Sequence, residues 1–228
     1  MEKKLITYHD GDAVLEASIA FPEKEGAPVV LVCHAWSGRD GFVQEAIERI
    51  AGWGYIGFAI DVYGKGIVGK SMEENARLKA PFLKDRMMLQ RRLLKGLEEA
   101  KKYATKIYVL GFGFGGLCAL DLARSDPTIA GVVCIYGHFE EAPGLENRAI
   151  KAKVLILHGA EDRIVPVDEV YALGDALTQC KIPWQAHIFD HTLHAFMNPQ
   201  VNAPDRGVQY QPQSAEKAWK LTRMFISG

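Results

Sequence analysis

One stretch limits the possible folds more than any other. In Val109 to Leu120, VLGFGFGGLCAL, an apolar strand runs straight into a helix through Gly111, Gly113, Gly115 and Gly116. Two mechanisms use such a turn. A nucleophile elbow, G-x-S-x-G or G-x-C-x-G, lifts its middle residue above a sheet on a tight, strained bend. The frame from Gly111 to Gly115 fits it, with Gly113 in the middle. A dinucleotide fingerprint, G-x-G-x-x-G, is matched by Gly111, Gly113 and Gly116. It calls for an acid at the end of the next strand, yet that strand ends Ile135-Tyr136-Gly137-His138. The fingerprint also usually opens its domain, and here several strands come first. The elbow is therefore the preferred reading, ahead of a dinucleotide site and of glycines serving a tight turn alone.

The rest of the chain supplies the sheet that an elbow needs. A hairpin is expected from Leu5 to Phe21, broken at Asp10-Gly11-Asp12. Buried strands are expected at Pro28–His34, Tyr55–Asp61, Lys106–Gly111, Ile129–Gly137, Lys151–Gly159 and Trp184–Phe189. Helical patterns fall between them, at Phe42–Trp53, after Ser71, from Pro81, at Gly115–Arg124, Val167–Gln179 and Ser214–Ile226. Alternation of this kind predicts an α/β fold, a mostly parallel central sheet with helices on both faces. One domain is expected over residues 1–228. Sites in such sheets form at the carboxyl ends of the strands. That points to His34–Gly38, Asp61–Lys65, Gly111–Gly116, Gly137-His138, His158–Arg163 and Asp190–Phe196.

Two further residues complete the order nucleophile, acid, histidine that an elbow fold uses. Asp162 follows a buried strand in LHGAEDRIVP, and His194 follows the last strand in FDHTLHAFMNP. The order 113, 162, 194 is the required one.

Composition excludes other classes. The formal net charge is -1, which gives no global pull toward nucleic acid or an anionic membrane. No apolar run approaches the roughly 20 residues that span a bilayer. The opening MEKKLITYHDGDAVLE has lysines but no apolar stretch behind them, so no signal peptide and a cytoplasmic location are expected. Cys33, Cys118, Cys134 and Cys180 are scattered, without CxxC spacing, and are expected to be buried, reduced thiols. His187, His191 and His194 lack an HExxH glutamate, so no metal site is expected.

The motifs LVCHAWSGRDGFVQEAIERIAGWGYIGFAIDVYG, GFGFGGLCALDLAR, LHGAEDRIVP and HTLHAFMNP together resemble the dienelactone hydrolase family of α/β hydrolases, over nearly the whole chain. The resemblance implies a cofactor-free hydrolase of small esters or lactones with a Cys-His-Asp triad, acting as a monomer or homodimer. It places the aspartate at Asp162 and the histidine at His194. The oxyanion donors would be the backbone N–H groups of Trp36 and Phe114. Arg86, on a helix near the region that covers the site in relatives, and Tyr63 are expected to contact substrate.

Two positions depart from the family. The nucleophilic cysteine would stand at Gly113, and dienelactone hydrolases proper carry a glutamate where this chain has Ala35. Glycine offers no attacking atom, so the covalent route is expected to be lost or nearly so. A relocated nucleophile at Ser37 or Cys118 is not favoured. The competing expectation is a non-catalytic protein that keeps the pocket and binds a ligand there.

Overall fold

The computed structural model describes all 228 residues. Strands β1 (Lys3–Asp10) and β2 (Ala13–Ala20) form the expected hairpin, with Gly11 at φ 59° in its turn. The remaining strands of the sheet are β3 (Val29–Cys33), β4 (Ile56–Ala59), β5 (Ile107–Phe112), β6 (Gly131–Ile135), β7 (Lys153–Gly159) and β8 (Trp184–Phe189). They make one eight-stranded sheet in the order β1-β2-β4-β3-β5-β6-β7-β8. From β4 to β8 every pairing is parallel, and only the β1–β2 and β2–β4 pairings are antiparallel.

The helices are α1 (Gly41–Gly52), α2 (Met72–Lys84), α3 (Arg86–Ala100), α4 (Phe114–Ser125), α5 (Val167–Gln179) and α6 (Pro212–Ser227). The pleat sorts side chains to the two faces. Along β3, Val30 and Val32 pack with Ile47 and Ile50 of α1 and with Ala218 and Trp219 of α6. Their neighbours Val29, Leu31 and Cys33 belong to the core on the other face, which also takes in Leu93 of α3, Leu117 of α4 and Val170 of α5. Burial on both faces is what a continuous β-branched run requires.

Helix caps mostly follow local chemistry. Asp40 caps α1 by accepting from the Val43 N–H, and Ser71 caps α2 by accepting from Glu74. Pro81 does not start a helix as the sequence suggested. It lies inside α2, and the break falls at Asp85, whose carboxylate accepts from the Met88 N–H at the start of α3. Cys33, Cys118 and Cys134 are buried, but Cys180 is exposed: it is the cap residue that ends α5, where the chain turns back at the surface.

Candidate active site

The turn between β5 and α4 explains its own glycines. A Cβ on Gly111 would overlap the carbonyl of Gly115, and one on Gly115 would overlap the carbonyls of Cys33 and His34. A Cβ on Gly116 would press against the Gly137 Cα and the Cys134 Sγ. These three positions admit only glycine because the turn packs against neighbouring backbone. Gly113 differs. Its backbone is at φ 55° and ψ -113°, yet space lies above it. A Cβ there would meet nothing closer than His194 Nε2 at 3.6 Å and the Tyr136 ring at 3.8 Å.

His194 reaches that space because two adjacent parallel strands end side by side. The loop after β7 is tied to the loop after β8 by Ala160 N–H to the Phe189 carbonyl and Glu161 N–H to the Thr192 carbonyl. Gly159 lets the two loops approach, since a Cβ there would overlap the Thr192 carbonyl. The backbone of His194 is held by the short hairpin of β9 (Asn202–Ala203) and β10 (Val208–Gln209): its N–H donates to Gly207 and its carbonyl accepts from Gln209.

Asp162 is fixed from several sides. Its Oδ1 accepts the N–H groups of Ile164 and Val165, each at 2.9 Å, and its Oδ2 lies 2.7 Å from His194 Nδ1. Burial would raise its pKa. The hydrogen bond and charge of His194, together with Val165 and His158, outweigh burial and hold the carboxyl below the ordinary range. An ionised Asp162 keeps the proton of His194 on Nδ1, so Nε2 faces the space above Gly113 as an acceptor.

The opposite wall is the loop after β3. His34 is buried and burial lowers its pKa, so its ring is neutral. Nε2 accepts the Val62 N–H at 3.2 Å, and Nδ1–H donates to the Ala35 carbonyl at 2.7 Å. Tyr63 is buried, and its hydroxyl donates to the Trp36 carbonyl at 2.9 Å. Tyr63 therefore shapes the backbone at Trp36. The Trp36 N–H donates to no acceptor in the protein, and Phe114, the first residue of α4, has one of the N–H groups that a helix leaves without an intrahelical partner.

Several other side chains are engaged elsewhere. Arg86 Nη2 and Nε hold Asp121 at 2.7 and 3.0 Å, and Nη2 also meets the Glu140 carbonyl. That guanidinium is committed to a buried carboxylate, not left free for substrate. Arg91 and Arg92 both pair with Asp10. Ser37 donates to Asp40, and Cys118 is buried in α4 with its thiol pKa pushed well up by burial. Phe112 packs against Phe42 and Trp219 on the far face of the sheet. His187 lies within β8 and His191 pairs with Glu161 at the surface, so the three histidines near the C-terminal loops do not converge.

Two residues near the site had weaker signals. The His138 ring lies 6.5 Å from the His194 ring, and burial lowers its pKa against the opposing charge of Glu140. It sits directly after β6, a position that strand-end logic marks. Lys79 places its ammonium 5.7 Å from the Trp36 ring centroid, and burial lowers its pKa too. Nothing in the polar pattern of α2 distinguishes it from the neighbouring Arg77 and Lys84.

A sequence model described as the dienelactone hydrolase family matches residues 15–227. The chain is 24% identical to a Saccharolobus solfataricus protein provisionally named carboxymethylenebutenolidase, over 99% of this chain and 98% of that one. Among solved structures it superposes on m3DLH with a TM-score of 0.90 at 26% identity, covering 97% of this chain and 95% of that one. It also superposes on a dienelactone hydrolase-like promiscuous phosphotriesterase, P91, from metagenomic libraries, with a TM-score of 0.91 at 25% identity and coverage of 99% and 97%. The sheet and its helical layers are those of an α/β hydrolase.

Proposed function

Because the chain belongs to the dienelactone hydrolase family, we propose that its site is built for hydrolysis of small esters or lactones, with the attacking side chain missing. His194 is the base, Asp162 fixes its tautomer, and the N–H groups of Trp36 and Phe114 receive the developing oxyanion. Position 113 is where the nucleophile belongs. Tyr63 supports the Trp36 carbonyl and does not itself touch substrate.

The observation that carries this reading is the direction of the absent side chain. A Cβ on Gly113 points at His194 Nε2, 3.6 Å away, while the flanking glycines have no room for one. A cysteine or serine there could pass its proton to His194 and attack a carbonyl held at the two N–H groups. Without it, His194 can activate only a bound water, a much slower route.

The test is a comparison of the chain with its Gly113→Cys and Gly113→Ser variants on activated esters. In a well-studied protease, loss of the nucleophile costs about 10⁶ in kcat. The Cys variant is expected to gain at least about 10³-fold and to show a burst of acyl-enzyme. Equal turnover by the unaltered chain and the Cys variant would remove the nucleophile assignment. No gain, with tight binding of a substrate-like ligand, would favour a binding protein.

A further inference from the structure

The space above Gly113 has two near neighbours and a base, and these bear on what can enter it. It is bounded by His194 Nε2 on one side and the Tyr136 ring on the other, at 3.6 and 3.8 Å from the missing Cβ. Tyr136 is buried and held at φ 39°, with its N–H bonded to the Leu157 carbonyl, so its ring forms a fixed wall. The ring stands edge-on to His194, with centroids 5.0 Å apart. An aromatic wall beside a vacant methylene position suits sulfur, whose contacts with rings are favourable.

We propose that this niche accepts a small soluble thiol, which serves as the nucleophile that residue 113 lacks, so that the chain transfers acyl groups from esters to thiols. This rests on the hydrolase reading of His194, Asp162 and the two N–H groups. The proton of the thiol passes to His194 Nε2 as the sulfur bonds to the ester carbonyl carbon. The tetrahedral oxyanion lies against the N–H groups of Trp36 and Phe114. It collapses with cleavage of the carbon–oxygen ester bond, and His194 returns the proton to the leaving oxygen. The products are a thioester and an alcohol, and no oxidant or reductant is needed.

Proton affinities favour a thiol over water or an alcohol. A thiol is a far stronger acid than water or an alcohol, so its proton passes to an imidazole base at much smaller cost. The niche also sets an upper size. The visitor stands in for one Cβ and one sulfur, so hydrogen sulfide and methanethiol, which bring no more than those atoms, should serve and a branched thiol should not.

The experiment uses the unaltered chain with phenyl acetate and increasing methanethiol or hydrogen sulfide, following phenol release and, by mass spectrometry, formation of the thioester from methanethiol or the thioacid from hydrogen sulfide. A rate that saturates with thiol, at least about 10²-fold above the same thiol without protein, is the expected result for general-base assistance. tert-Butyl thiol should give no such rate, and His194→Gln should abolish it for the small thiols. A protein-dependent rate that survives His194→Gln, or that is equal for tert-butyl thiol, overturns the proposal. If Gly113→Cys hydrolyses the ester rapidly while thiols do nothing for the unaltered chain, the thiol proposal falls and the hydrolase reading stands. If neither is active, both fall.

Discussion

His158 and His194 converge on one oxygen: Asp162 Oδ2 lies 2.7 Å from His194 Nδ1 and 3.5 Å from His158 Nε2. The two histidines have different freedom. His194 turns its other nitrogen toward the space above Gly113. His158 is fully buried: its Nε2–H donates to the Val165 carbonyl at 2.8 Å, and its Nδ1 has no partner. A second proton on His158 would have no acceptor.

Acid should therefore destabilise this protein before its carboxylates protonate. Burial lowers the pKa of His158, His34 and His138. A histidine whose folded pKa is lowered contributes stability that is present above its unfolded pKa, near 6.5, and lost as pH falls below it. His191 acts in the opposite direction, since its bond to Glu161 raises it, but it is exposed. A falling Tm between about pH 7 and about pH 5 is expected, with a second fall at lower pH as Asp162 protonates. A Tm that is flat across the first window would show that burial of the three histidines does not govern the acid limb.

Asp162 should matter through the tautomer of His194 more than through stability alone. An amide in its place reverses the hydrogen-bond requirement at Nδ1, and in a well-studied protease the matching change lowers kcat about 10⁴-fold. Asp162→Asn in a Gly113→Cys background is expected to lose about 10³-fold or more, with KM little changed. Steady-state kinetics with an activated ester decides this. A loss confined to KM would assign Asp162 to binding.

Arg86 should behave as a structural cation. Its partner Asp121 has a side-chain exposure of 0%, and Arg124, equally buried, holds the same carboxylate at 3.0 Å. Removing one member of a buried ion network typically costs about 3–5 kcal/mol, and the remaining Arg124 places Arg86→Met at the low end. Denaturant unfolding measures the loss. In the Gly113→Cys background, the same change should leave the preference between carboxylated and neutral esters unaltered. A selective loss on carboxylated esters would return Arg86 to the substrate site.

The four glycines of the β5–α4 turn should respond unequally to alanine. Gly115→Ala forces a methyl into the Cys33 and His34 carbonyls, and a loss above about 4 kcal/mol, or failure to fold, is expected. Gly113→Ala meets no atom closer than 3.6 Å and pays only the strain of its positive φ, about 1–3 kcal/mol. Thermal melts of the two variants should rank in that order, and the reverse order would refute the steric assignment.

The layout was legible in the sequence because each strand is a short apolar run and each helix carries its own periodicity. β8 and α5 fall within the residue ranges that the pattern gives. The turn glycines lie at the end of β5, and Asp162 and His194 stand on the loops after β7 and β8, so strand-end logic marks all of them. Arg86 was not, because its ion pair with Asp121 spans 35 positions and leaves no local trace. The α2–α3 boundary was misplaced because α2 carries Pro81 in its interior, where proline removes a helix N–H and normally breaks the helix, and the Asp85 cap was the better signal. Cys180 was grouped with its buried namesakes although it lies where α5 ends in a polar turn. His158 and His138 stood in the strand-end stretches, but their burial and their distances to Asp162 and His194 come only from the packing of the loops.

The turn divides two duties among four residues. Gly111, Gly115 and Gly116 are pinned by neighbouring backbone and carry the architecture. Gly113 alone has room for a Cβ, between His194 and the Tyr136 ring. Position 113 is thus interchangeable in a way its neighbours are not. On the proposed reading, the attacking atom is exchangeable for sulfur, oxygen or a visitor from solution, with His194, Asp162 and the two N–H groups left standing as a socket around it.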